Sequence, residues 1–369
     1  MKKIGVINGL RGYAIIFVIL HHLFWSRTVP AWNFVEVGGF YLFPFTFITN
    51  GWAGVKLFFM LSGFVLYLPY AKGTREMRTG TDAGAFYRHR AGRLLPLYYI
   101  SVLFAVLFTW KAAAGTDIFK DLVQLATFTF TFTLDNWLPD QNIVLWSLAL
   151  EVWFCVVFPL LVIIGRRVGL FRLFIFSAIL GLAARFAGTN FPGHFSFGAL
   201  YLDAMSDSLL GRLDDFVLGM LICDLYVRGE RRALPVPPAA GLAAGLIVVA
   251  VGCTLWDMRV VGLVARAYTP LFATVFHVGF YLVITSLLFM KSGAIKLIFD
   301  SRPIQIVGVM SYSIYIWHQL AMEHMVGDDY SPMNIAVYLV LLAIFSALSY
   351  RYIEFGKRNA GELFLLGRR

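Results

Sequence analysis

Apolar stretches of about 20 residues recur along the whole chain, parted by short polar or basic segments. A run of that length is what an α-helix needs to cross a hydrocarbon core of about 30 Å. The pattern predicts ten membrane spans, at residues 9–28, 51–71, 93–113, 143–164, 172–188, 209–228, 239–256, 268–290, 303–325 and 333–353. Segment 118–134 (IFKDLVQLATFTFTFTL) is apolar but short and rich in Thr and Phe, and reads as an interfacial or re-entrant piece packed on the bundle. The predicted fold is all-α and polytopic, a single transmembrane domain over 1–369 with no soluble C-terminal domain. The Pro-rich stretch at 235–238 reads as a stiff loop, and no internal repeat stands out.

Charge placement gives an orientation. Lys2 and Lys3 precede the first span; Arg75, Arg78, Arg88, Arg90 and Arg93 follow the second, and Arg166, Arg167 and Arg172 the fourth. Arg228, Arg231 and Arg232 follow the sixth, Lys291, Lys296 and Arg302 the eighth, and Lys357 and Arg358 the tenth. The alternate loops hold few basic residues. Every basic loop thus falls on the side of the N-terminus, which predicts that both termini are cytoplasmic. An eleventh span at 118–134 would break the alternation.

Composition agrees with a membrane protein. Hydrophobic residues make up 59% of the chain and charged residues only 14%, against about a quarter charged in soluble domains. The net charge of +10 does not point to nucleic acid, because the basic residues sit in alternate loops rather than along one surface. Cys155, Cys223 and Cys253 lie inside apolar runs without ligand-like spacing, so neither a disulfide framework nor a metal site is expected. Arg11, His21 and His22 interrupt the first apolar run and no small-residue cleavage site stands out, so this segment reads as a retained helix rather than a signal peptide.

Ionisable residues at bilayer depth are costly and mark candidate chemistry. Arg11 and His22 are eleven residues apart, three helical turns plus roughly 20°, so they share a face at an axial separation of about 16.5 Å. Machinery is one reading of this pair; a snorkelling end-anchor and a satisfied core histidine is the other. His21 is rotated away and is the weaker candidate. In WSLALEVWF, Glu151 lies about two turns into its span with Ser147 one turn away on the same face. In SYSIYIWHQ, Tyr315 and His318 share a face, with Ser311 one turn earlier. With Lys56 in the outer part of span two and Arg212 and Asp215 opening span six, the topology allows an outer-half cluster of His22, Lys56, Glu151, Arg212 and His318. His277 has no charged neighbour at helical spacing and reads as structural. Ser62 and Gly63 in FFMLSGF read as close-packing residues, the alternative being a nucleophilic Ser62, although no sharp-turn glycine pattern surrounds it. Arg88, Arg90 and Arg93 form a basic patch that suits lipid headgroups or a phosphate-rich ligand. No Gly-rich phosphate loop is present, which argues against ATP-driven chemistry.

These residues resemble the membrane-bound acyltransferase 3 family over nearly the whole chain. The carriers are the Arg11-x10-His22 spacing, FFMLSGF, Arg90-x-x-Arg93-x-x-Pro96, WSLALE through Glu151 with Pro159 after it, Arg212 with Phe216 and Gly219, and Gly308-x-x-Ser311-Tyr312-x-x-Tyr315-x-x-His318. One departure is Glu354-Phe355-Gly356, where the family often has Glu-x-Pro. The resemblance implies a bacterial inner-membrane O-acyltransferase that moves an acyl group, commonly acetyl, from cytosolic acyl-CoA to a hydroxyl of an extracytoplasmic carbohydrate-type acceptor, such as a cell-envelope polysaccharide. It implies donor binding by Arg11, Arg90 and Arg93, and catalysis by His22 as general base, with Glu151 orienting it or stabilising its charged form if the two helices pack together. Arg212, Lys56 or Tyr315 would stabilise the oxyanion, His318 would join the catalytic set, and Lys56, Ser147 and Tyr315 would bind the substrate. Direct attack and a transient acyl-histidine both remain open. No metal is expected, and the partners are acyl-CoA, the hydroxyl acceptor and membrane lipids. The rival reading is a secondary transporter or channel that uses the buried His, Glu and Arg as a relay, although the repeated halves common in transporters are not evident.

Overall fold

The computed structural model describes residues 4–25, 35–37, 40–109, 118–132, 139, 142–190, 204–229, 236–291, 293–327 and 329–355. In chain order these form α1 (Gly5–Trp25), the strands β1 (Val35–Val37) and β2 (Phe40–Leu42), α2 (Thr46–Thr49), α3 (Ala53–Ala71), α4 (Gly80–Thr109), α5 (Ile118–Thr127), α6 (Leu145–Val168) and α7 (Leu170–Asn190). There follow α8 (Leu209–Arg228), α9 (Pro238–Val260), α10 (Thr269–Phe289), α11 (Ala294–Asp300), α12 (Arg302–Val309), α13 (Ser311–Met325) and α14 (Pro332–Ser349). A π-helical turn, Tyr350–Glu354, continues α14. The strands make one small antiparallel ladder with Glu36 opposite Tyr41, an element that the hydropathy pattern did not announce.

Local chemistry sets the helix ends. Ser208 and Ser331 each accept a hydrogen bond from a first-turn amide, those of Gly211 and Asn334, so an otherwise orphaned donor is satisfied. Pro238, Pro270 and Pro332 stand in the first turn of their helices, where the missing N–H costs nothing. Gly229, at φ +67°, closes α8 in the left-handed region.

Eight helical stretches among the described residues are long and apolar enough to cross a membrane: 5–24, 53–71, 80–107, 145–168, 170–190, 238–260, 266–289 and 332–354. With a helical fold, they make the protein an integral membrane protein of all-α, polytopic class. Two of the ten predicted spans do not meet that measure, each for a visible reason. α8 is long enough, about 30 Å at 1.5 Å per residue, but it carries Arg212, Asp214, Asp215, Asp224 and Arg228. The predicted span 303–325 is broken at Met310 into α12 and α13. The described part of segment 118–134, residues 118–132, does not form a span either. α5 is only ten residues long, about 15 Å, and it is tied to the bundle by Tyr98 Oη donating to the Leu125 carbonyl (2.8 Å) and Trp153 Nε1 to that of Phe128 (3.1 Å).

α8 sits at the centre, packed on α3 and α7. Phe216 stacks between Phe154 and Phe59 at ring separations of 3.9 and 4.6 Å. α3 and α8 approach backbone to backbone: a Cβ on Gly63 would lie 2.0 Å from the Phe216 carbonyl oxygen, and one on Gly219 1.8 Å from that of Met60. This is the close packing expected of Gly63. α1 packs on α3 on one side and α12 on the other, so its polar face looks into the bundle. The outward faces of α7 and α14 expose Phe171, Phe176, Ile179, Val340 and Leu348, a surface suited to lipid rather than water.

Candidate functional site

Two cavities open inside the bundle, and α1 lines both. The first, about 90 Å³, is lined by Arg11 together with Ser62 of α3, Arg90 and Arg93 of α4, Ser147 and Glu151 of α6, and Ser311 and Tyr312 of α13. The second, about 300 Å³, is lined by His21 and His22 with Trp52, Lys56, Arg185, Asp207, Arg212 and Trp256. Val55 and Tyr315 line both. The two spaces therefore adjoin at a throat formed by these two residues, between the Arg11 and His22 levels of a single helix.

In the Arg11 cavity the carboxylates are matched to arginines of other helices. Glu151 Oε1 accepts from Arg90 Nη2 at 2.7 Å and from Ser62 Oγ at 2.5 Å. Glu354 Oε1 accepts from Arg93 at 3.2 Å, and its other oxygen from Ser313 Oγ at 3.2 Å. Phe355 lies under the Arg93 guanidinium at 5.3 Å. Arg11 is different: it makes no hydrogen bond or ion pair within the described residues. It is the cation of this cavity with unused donors.

In the His22 cavity the histidines are tied to backbone instead. His22 Nδ1 lies 2.8 Å from the Val18 carbonyl, and His318 Nδ1 2.6 Å from that of Tyr315. A carbonyl oxygen only accepts, so each Nδ1 carries the hydrogen and each Nε2 keeps its lone pair. The two rings stand edge to face at 4.9 Å. His318 is fully buried, and its Nε2 has no hydrogen-bond partner. Tyr315, at the throat, shares a 2.7 Å hydrogen bond with Ser147 Oγ.

Behind Lys56 lies a buried ionic network centred on α8. Asp214 takes two bonds from Arg185, at 2.7 and 3.1 Å. Asp215 lies 2.8 Å from His277 Nε2, 3.6 Å from Lys56 Nζ and 3.7 Å from Arg212. Arg212 also grips Asp207 through two short bonds. Such a network is stable only when every charge is matched. Asp214, Asp215 and His277 bring ligand atoms within 4.8 Å of one another, a spacing that a cation could bridge, but Arg185, Lys56 and Arg212 already supply the opposite charge.

The expected outer cluster is brought together in part. His22, Lys56 and Arg212 line one cavity, and His318 lies directly behind His22. Glu151 does not join them. It faces the Arg11 cavity, held by Arg90 and Ser62, because a carboxylate in an apolar bundle goes to the nearest strong donors rather than to a neutral imidazole. Arg90 and Arg93 stand beside Arg11 as expected, but each arrives already paired. Arg212 is likewise spent on Asp207 and Asp215, which leaves it a positioning role. His277 does have an acidic partner, on a different helix. Arg185, Asp214 and Glu354 were missed, although Arg185, a lone charge in an apolar run, met the same criterion that flagged Arg11.

Comparison with known proteins places this geometry. The chain is 24% identical over 399 residues to the O-acetyltransferase OatA of Staphylococcus aureus strain NCTC 8325 / PS 47, with 96% of this chain and 57% of that protein covered. The OatA of Staphylococcus aureus strain COL matches to the same extent. The chain thus spans little more than half the length of these relatives. No solved structure matches it. The family profile described as an acyltransferase domain matches residues 4–352, and the chain belongs to that family, acyltransferase 3.

Proposed function

We propose that this protein is a membrane O-acyltransferase that takes an acyl group, acetyl by its relatives' names, from cytosolic acyl-CoA and passes it to a hydroxyl of an extracytoplasmic carbohydrate-type acceptor. The single observation that carries the reading is that the two cavities share Val55 and Tyr315 in their walls, with Arg11 lining one and His22 the other. The basic loops that follow α3, α6 and α8 support a cytoplasmic start of α1. Acyl-CoA then enters past Arg11, whose unused guanidinium donors take phosphate oxygens, while Arg90 and Arg93, held by Glu151 and Glu354, shape the mouth. The thioester arm reaches the throat. The acceptor comes from the opposite side into the His22 cavity.

In the reaction, the hydroxyl oxygen bonds to the acyl carbon as its proton passes to His22 Nε2. The Tyr315 hydroxyl, supported by Ser147, donates to the oxyanion. The carbon–sulfur bond breaks, and the proton on His22 passes to the departing CoA sulfur. His318, edge-on to His22, takes the place expected of Glu151: its free Nε2 is the neighbouring base that shares the charge. An acyl group resting briefly on His22 would use the same atoms.

The test is turnover. Purified protein given labelled acetyl-CoA and envelope glycan should release CoA, and His22→Ala should lower release by about 10²- to 10⁴-fold, the usual worth of a general base. Near-normal release by that variant removes His22 from the chemistry. A protein that moves a solute through the adjoining cavities without releasing CoA is a transporter.

A further inference from the structure

The chemical nature of the acceptor is written in the wall of the His22 cavity. Five basic side chains line it, Lys56, Arg185, Arg212, Arg259 and Arg266, against one carboxylate, Asp207, among the described residues. Lys56 carries the argument. Its side chain is 4% exposed, its Nζ donates no hydrogen bond, and it faces the cavity. An ammonium removed from water with three unused donors is expensive. Asp215, at 3.6 Å, is the acid beside it, and that carboxylate is already shared with His277 and Arg212.

We propose that the acceptor held in this cavity is anionic: a sugar-sized hydroxylated molecule whose carboxylate or phosphate docks on Lys56, beside the guanidinium groups of Arg212 and Arg185. The proposal rests on the acyl-transfer reading only for calling the ligand an acceptor. A neutral hydroxyl could take one hydrogen bond from Lys56, whereas an anion accepts its unused hydrogens as charge-assisted bonds and suits the basic side chains around it. Asp207 and Asp214 clamp the two arginines in place, so little side-chain freedom is lost when the anion binds. The volume, about 300 Å³, is at the lower end of small-molecule sites, about 300–1,000 Å³, and fits one sugar unit. The Trp52 and Trp256 rings, 4.8 Å apart, supply its apolar wall.

Calorimetric binding of D-glucuronate, D-glucose 6-phosphate, D-glucose and D-glucosamine to the purified full-length protein, with no acyl donor present, tests this directly. At least one anion should bind about tenfold or more tighter than glucose, a difference of about 1.4 kcal/mol, and whichever of the two binds tighter tells carboxylate from phosphate. Lys56→Met should bring anion and glucose to within about threefold, whereas Lys56→Arg should keep the preference. Should Lys56→Met fail to fold, the cationic arm decides on the wild type, where glucosamine should bind more weakly than glucose. Equal binding of all four sugars, binding of neither anion, glucosamine at or above glucose, or an unchanged preference in folded Lys56→Met overturns the proposal. Absent CoA release with the anion preference intact would overturn the acyl-transfer reading and leave this site standing.

Discussion

Around the Arg11 cavity, Glu151 and Glu354 are each bound to an arginine from another helix, and Arg11 is left over. Around the His22 cavity, His22 and His318 are bound only to carbonyls of their own helices, and among the described residues their Nε2 lone pairs and the hydrogens of the Lys56 ammonium are left over. The first cavity thus offers one spare cation suited to phosphate; the second offers bases and an ammonium with unused hydrogen-bond donors. The difference teaches where to look for function among many buried polar groups. Those consumed by the fold, such as Arg185, Asp214 and Glu151, hold the bundle together, and those it leaves unspent are the candidates for the chemistry.

Breaking a consumed group should therefore cost stability. Arg185→Ala strips Asp214 of its bidentate partner and should destabilise the protein by about 3–5 kcal/mol, seen as a lower Tm in detergent; an unchanged Tm would show the network to be dispensable. Breaking an unspent or throat group should cost rate instead. Tyr315→Phe should lower kcat by about 10²- to 10³-fold, as loss of an oxyanion donor does, at nearly unchanged Tm, and wild-type kcat would move the oxyanion site elsewhere. The smallest effect is expected at Ser62, which donates to Glu151. Ser62→Ala should cost no more than about 2 kcal/mol of stability and leave turnover near normal, whereas abolished turnover in a folded protein would make Ser62 a nucleophile.

Much of this was legible in the sequence. Apolar length located all eight membrane-length helices, and the eleven-residue spacing put Arg11 and His22 on one face, because both follow from local helix geometry. What depends on contacts between helices was not legible. His277 and Asp215 are 62 residues apart and Arg185 and Asp214 are 29 apart, so no helical spacing relates them. Glu151 was placed beside His22 because depth alone was known; depth does not say which neighbour a carboxylate faces. The break at Met310 was hidden for another reason. It contains no proline, and the Gly308 beside it sits 1.8 Å, by an added Cβ, from the Asn8 carbonyl of α1, a constraint imposed by the partner helix.

The central claim is a division of labour along α1, Arg11 for the donor and His22 for the transfer. Calorimetric binding of CoA to purified wild type, Arg11→Ala and His22→Ala tests it most directly. Arg11→Ala should weaken CoA binding by about ten- to a hundredfold, the worth of a charge-assisted hydrogen bond of about 1.5–3 kcal/mol, while His22→Ala, though inactive, should bind CoA like the wild type. Unchanged affinity in Arg11→Ala, or an equal loss in both variants, would contradict the account.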